Sequence, residues 1–307
     1  MHWKKQGLIY CPDGSQDWAQ AHAMVPTPWL IDKNRIRLFI SSTDSDMVAG
    51  TGYLDLDIRD PKQILEYATT PCLSKGEAGC FDDNGVNATS IVESDGKLWM
   101  YYFGYQLGVQ VRYTLFGGVA TSTDAGDNFE RSSRAPVIDR SDSEPLLRSA
   151  PFVLLEDDLW RMWYVGGEKH IESGDTTRPT YEIRYVESAN GTTWPSESVA
   201  AVKLSGDGDE YGLGRPYVVK LNDGYRMWYS IRTHSQGYKI GYATSPDGLN
   251  WTRRDDVTGL ECSDEGWDSE MVCYGAEIST DFGNYLFYNG NDYGRSGVGF
   301  AVLEDAG

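Results

Sequence analysis

The chain lacks any apolar run near the roughly 20 residues that span a bilayer, and its start, MHWKKQGLIYCPDG, has no apolar core of the kind a secretion signal needs. No membrane association is expected, and the chain is read as cytoplasmic. Cysteine is scarce: Cys11, Cys72, Cys80, Cys262 and Cys273 are odd in number and show no paired metal spacing. Reduced structural thiols are therefore expected rather than a disulfide framework or a zinc site. Histidine is scarcer, four in 307 residues without regular spacing, so neither a metal nor a cofactor is expected. Positive charge is in deficit as well, with 27 Lys and Arg against 46 Asp and Glu, a net charge of −19 and a pI near 4.5. Such a balance repels nucleic acid and anionic membranes and keeps the chain soluble, while small neutral or cationic partners are accommodated more easily. Long helical periodicity is also missing, and nothing in the pattern sets an oligomeric state.

What is abundant is aromatic and glycine: 20 Tyr, 10 Trp and 34 Gly. Aromatic side chains suit a pleated, half-buried surface and glycine supplies tight turns, so the composition indicates an all-β protein. The stretch Gly214 to Arg253 reads as three strands and the start of a fourth, with turns at Asn222-Asp223-Gly224 and Ser245-Pro246-Asp247-Gly248 ahead of Trp251. Its second strand recurs as Leu38-Phe39-Ile40, Met100-Tyr101-Tyr102, Met162-Trp163-Tyr164, Met227-Trp228-Tyr229 and Leu286-Phe287-Tyr288, at spacings of 62, 62, 65 and 59 residues. The later turn recurs at Ser122–Gly126 before Phe129 and at Ser188–Gly191 before Trp194. Five repeats use up the chain, and each unit needs neighbours to bury its faces, so residues 1–307 are expected to form one domain.

The last repeat has only three strands, whereas His2–Pro12 resembles a fourth strand without its unit. If that strand completes the last unit, a ring closes and no sheet edge is left bare. The expected fold is thus a five-bladed β-propeller with four-stranded blades. In such a ring the linkers from each outer strand to the next inner strand converge on one face. Here they are Asp13–Val25, Ser74–Val86, Asp139–Leu147, Ser205–Leu213 and Ser263–Met271, all acidic and rich in Gly or Ser. Near the inner-strand starts lie His22, Asp82, Asp83, Glu144, Glu210, Asp268 and Glu270, with Arg148 and Arg215 closer to the strands.

The motifs Tyr225–Ser230, Ile240–Trp251, Trp160–Gly166, Gly266–Ser269 and Gly214-Arg215-Pro216 resemble those of the five-bladed propeller glycoside hydrolases, the superfamily of arabinanases, xylosidases, invertases, levansucrases and mannoside phosphorylases. The resemblance spans the chain. It implies a small saccharide, or sugar conjugate, processed in the central channel by two carboxylates, one acid and one base or nucleophile, about 5 Å apart for retention and about 6.5 to 9.5 Å apart for inversion. The positions where that family places its acids hold Pro26, Asn87, Ser149, Gly214 and Cys273 instead. The carboxylates are therefore expected from the linkers: Asp83, Glu210 and Glu270, with Asp82, Glu144 and Asp268 as substitutes. Turn or capping roles are the alternative for each of them. Arg148 and Arg215 suit an acidic sugar, phosphate or sugar nucleotide, or else pair with the linker acids. His22, His170 and His234 are placed to donate to sugar hydroxyls, and Trp18, Trp267, Tyr105 and Tyr211 to stack on sugar rings. Three functions stay open: glycoside hydrolysis, glycosyl transfer or phosphorolysis with an anion held by arginine, and saccharide binding without catalysis.

Overall fold

The computed structural model describes residues 1–173 and 176–304. It is an all-β molecule in which every long strand belongs to an antiparallel run of four. The first run is β2 (Ala21–Asp32), β3 (Arg35–Thr43), β4 (Ala49–Asp57) and β5 (Asp60–Tyr67). The second is β6 (Gly85–Ser94), β7 (Lys97–Leu107), β8 (Tyr113–Ser122) and β9 (Glu130–Arg131). The third is β10 (Leu147–Glu156), β11 (Leu159–Ser173), β12 (Thr176–Ser188) and β13 (Val199–Val202). β14 (Glu210–Leu221), β15 (Gly224–Thr233), β16 (Lys239–Ser245) and β17 (Thr252–Arg253) form the fourth. In the last, β18 (Cys273–Thr280), β19 (Gly283–Asn289) and β20 (Val298–Leu303) are joined by β1 (Trp3–Tyr10), which pairs antiparallel with β20 from Trp3↔Leu303 to Tyr10↔Val298. The chain start thus completes the run that its end leaves short, as the repeat pattern requires.

One interface recurs because the repeat carries it. At four of the five outer strands the leading aromatic stands edge-on against the second strand of the preceding run: Phe129 on Phe39 at 5.8 Å, Trp194 on Tyr101 at 6.3 Å, Trp251 on Trp163 at 6.2 Å and Trp3 on Trp228 at 5.7 Å. Edge-to-face contacts of this kind add to what area burial alone supplies. The turn before that strand docks on the same neighbour, since Tyr101 Oη donates to Gly191 O at 2.8 Å and Trp163 Nε1 to Gly248 O at 2.9 Å. Glycine is required at both turns. φ is +71° at Gly191 and +77° at Gly248, and an added Cβ would lie 2.7 Å from Tyr101 Oη or from the Arg161 guanidinium, respectively. Across the remaining interface, Tyr285 Oη donates to Ile58 O at 2.8 Å, and β18 packs against β2 as the other first strands pack against one another in order.

Candidate functional site

The first strand of each run carries a register shift at the same place: Met24/Thr27, Ala88/Ser90, Ser149/Phe152, Gly214/Tyr217 and Cys273/Ala276. Four of these bulges hold a non-glycine residue in the left-handed region, Val25 at +54°, Ala150 at +48°, Arg215 at +45° and Tyr274 at +56°. An extra residue in one strand turns a side chain out of the alternating pattern, and strain of this kind concentrates where side chains are aimed at a ligand. Ala150, Arg215 and Tyr274 do reach a shared space, a cavity of about 710 Å³ that all five runs line. Its wall is strongly aromatic, with Tyr105, Tyr113, Tyr181, Tyr238, Tyr274 and Tyr293 joined by Phe103. Arg112, Arg215 and Arg232 are its cations, and Asp46 is the one carboxylate-bearing residue among the described residues that line it.

The linker acids are engaged elsewhere, in a clasp repeated from run to run. In the four runs whose second-strand triplet ends in tyrosine, that tyrosine donates to a carboxylate that also meets a cation. Tyr102 Oη reaches Asp82 at 3.1 Å and Arg131 pairs with the same carboxylate at 2.7 Å. Tyr164 Oη reaches Glu144 at 2.6 Å, where Arg148 pairs at 2.6 Å and Ser198 also donates. Tyr288 Oη reaches Asp268 at 2.9 Å, and Lys5 of β1 pairs with it at 2.7 Å, so this clasp fastens the chain start to the last run. In the fourth run the set is shared out: Tyr229 Oη donates to Asp255 at 2.6 Å, while Arg253 bridges Asp255 and Glu210. Burial alone would push the Glu210 carboxyl up. The Arg253 guanidinium and the Ser205 N–H outweigh it, and the group lies below its usual range, which is opposite to what a general acid near neutrality needs.

Asp83 accepts from Gly79 N at 2.8 Å and Gln106 Nε2 at 3.3 Å, next to the cavity-lining Asn84. Glu270 is exposed and borders a different hollow of about 620 Å³, whose wall also includes Asp255 and Glu261. Asp83, Glu210 and Glu270 are thus absent from the wall of the aromatic cavity. Arg148, buried in the Glu144 clasp, also donates to Asp139 O and Pro195 O. Of the two arginines singled out in the sequence, only Arg215 reaches the cavity, and its guanidinium donates to backbone carbonyls, not to linker acids.

His22 is buried, with φ at +64° and Nδ1 2.9 Å from Thr43 Oγ1; burial first of all holds its pKa below the usual value. His170 is exposed on β11, and His234 is exposed with its ring 4.5 Å from Tyr211. Trp267 stacks on Tyr288 at 5.1 Å, and Trp18 fills the space over Gly50 and Gly52, which makes both packing residues. Tyr105 lines the cavity, and Tyr211 is buried beneath Arg178 and Arg232.

Asp46, Arg112, Arg232, Tyr238 and Tyr293 escaped the sequence reasoning. They sit on or beside the loops between second and third strands, which in this topology emerge on the same face as the linkers. The up-and-down order of strands in each repeat carried that information. Among the described residues no group of three His, Cys, Asp or Glu side chains could hold a metal ion.

The architecture is that of the β-propeller glycoside hydrolases. A solved glycoside hydrolase superposes with a TM-score of 0.75 at 18% identity over 99% of this chain and 92% of its own. A thermostable family-43 glycoside hydrolase gives 0.67 at 16% identity over 95% and 93%, and a protein of the GH130 family of mannoside phosphorylases and glycoside hydrolases gives 0.70 at 14% over 99% and 94%. No protein-family model matches the chain. In sequence it is 35% identical over 305 residues to the uncharacterized protein Rv1502 of Mycobacterium tuberculosis, covering 99% of this chain and all of that one, and it belongs to the same family.

Proposed function

We propose that this protein is a glycosidase-like enzyme acting on a saccharide in the aromatic cavity of a closed five-bladed propeller, with the five four-stranded runs as its blades. The single observation that carries this proposal is the cavity: about 710 Å³, lined from all five runs, walled by aromatic side chains on which sugar rings stack and by hydroxyls and guanidinium groups that bond to sugar hydroxyls. The fold shared with propeller glycosidases supports the same function.

The chemistry favoured is displacement by a co-substrate, not hydrolysis between two protein carboxylates. Hydrolysis needs an acid and a base or nucleophile on either side of the glycosidic bond, whereas Asp46 is the only carboxylate among the described lining residues. One carboxylic acid suffices when the attacking group is itself an anion, as in phosphorolysis. The C–O bond to the leaving sugar breaks as a phosphate oxygen bonds to the anomeric carbon. Asp46 protonates the leaving oxygen, then regains a proton from solvent. Saccharide binding without turnover is the second reading, and the same shortage of carboxylates favours it.

The test is release of the leaving sugar from a panel of disaccharides, whose alcohol leaving groups need protonation, with and without inorganic phosphate, by the parent and by Asp46→Asn. Phosphate-dependent release that falls about a hundredfold or more in the variant is expected. Phosphate-independent release that Asp46→Asn leaves intact would exclude the mechanism. Sugar binding with no turnover under either condition selects the second reading.

A further inference from the structure

Two of the cavity's cations differ from most arginines elsewhere in the chain. Arg37, Arg131, Arg148, Arg161, Arg226 and Arg253 each pair with a carboxylate. Among the described residues, Arg215 and Arg232 have no such partner, although the chain carries a net charge of −19.

Arg215 is 2% exposed. Its Nη1 donates to Gly275 O at 2.9 Å and Tyr274 O at 3.3 Å, and its Nη2 to Pro26 O at 2.6 Å and Thr27 Oγ1 at 3.0 Å. Its Nε is buried without a partner. Burial draws its pKa down to about 10, so it remains a cation at neutral pH. Carbonyl dipoles stabilise such a charge only in part, and a desolvated cation whose remaining N–H is orphaned favours an anion nearby. Arg232 lies on the same wall. Its Nη1 donates to Tyr181 Oη at 3.3 Å, that hydroxyl is 2.8 Å from Tyr238 Oη, and its guanidinium rests 5.0 Å from the Tyr211 ring. These contacts hold the guanidinium in place without neutralising it.

Resting on the saccharide function proposed above, we infer that Arg215 and Arg232 form an anion subsite in the cavity, one that takes a carboxylate, phosphate or sulfate group. The group belongs either to an acidic saccharide or to an inorganic co-substrate. Guanidinium groups suit such oxyanions as charged N–H donors: Arg215 offers its orphaned Nε, and Arg232 the donors that Tyr181 leaves free.

Calorimetric titration of the whole chain with inorganic phosphate, glucuronate and glucose tests the inference. Saturable binding of phosphate or glucuronate, weakened by added salt and weakened at least about tenfold by Arg232→Gln, is the expected result. Binding by phosphate alone assigns the subsite to a co-substrate, and binding by glucuronate over glucose assigns it to the sugar. Arg215→Met removes a tie between three strands and is liable to unfold, so Arg232→Gln is the deciding variant, because the Arg232 side chain makes a single hydrogen bond among the described residues, to the Tyr181 hydroxyl. No binding of either anion at millimolar concentration overturns the subsite, as does anion binding that Arg232→Gln leaves unchanged. Glucose, or any neutral sugar, binding in that event shows that the saccharide function survives the loss of this inference.

Discussion

Substituting Glu144 by Gln tests whether the linker acids are clasps or catalysts. Glu144 is fully buried and accepts from Tyr164, Arg148 and Ser198, with Arg184 3.5 Å away. Gln keeps the shape but only one acceptor oxygen, so of the tyrosine and serine hydroxyls, which donate to different carboxylate oxygens, one keeps its acceptor and the other meets an amide NH2. Arg148, only 2% exposed, loses its counter-charge and keeps two carbonyl contacts. Removing one member of a buried ion pair costs about 3–5 kcal/mol. With an unfolding entropy of about 2.1 cal/mol/K per residue, the 307-residue chain loses about 0.64 kcal/mol per degree near its melting point, so Tm should fall by about 5–8 °C. Scanning calorimetry measures the drop. Glu210→Gln should cost less, about 1 kcal/mol, because Arg253 is partly exposed and keeps Asp255. Adding Arg148→Met to Glu144→Gln should recover much of the loss, since neither buried charge then remains. A Glu144→Gln protein that melts within about 1 °C of the parent would refute the clasp, and one that kept its Tm but lost turnover would return Glu144 to the site.

Deleting residues 1–12 should yield a chain that aggregates or melts far below the parent, because it bares the edge of β20, removes Trp3 from the face of Trp228 and strips Lys5 from Asp268. An unchanged melting temperature in light scattering and calorimetry would show that β1 does not secure the last run. Thiol labelling of the native protein at neutral pH should modify the exposed Cys11 and Cys262 and the half-exposed Cys80, while sparing Cys72, whose thiol burial pushes up to about 12, and Cys273, which burial raises well above its usual value. After denaturation without reductant all five should react, and a mass shift showing otherwise would reveal a disulfide.

The repeat was legible because its signals are local. A Met-Trp-Tyr or Met-Tyr-Tyr triplet marks a strand buried on both faces, and Ser-Pro-Asp-Gly marks a turn wherever it stands. The outer-strand character of His2–Pro12 was legible in the same way, from Trp3 and the apolar residues after it. What the sequence determined by itself is therefore the all-β class, the period and the partner of the first strand.

The direction of each polar side chain was left to the tertiary structure. Arg148 and Arg215 both sit near the start of a first strand, yet the register shift after Ser149 leaves Arg148 paired with Glu144, while Arg215 falls on the shift itself and turns into the cavity. A single inserted residue reverses the face a side chain presents, and no propensity or spacing marks it. The carboxylates followed the same logic. Asp82, Glu144 and Asp268 each had a tyrosine about 20 residues away in sequence that folding brought into hydrogen-bond contact. A buried acid goes to the donors that the packing supplies, and only the packed chain shows which donors those are.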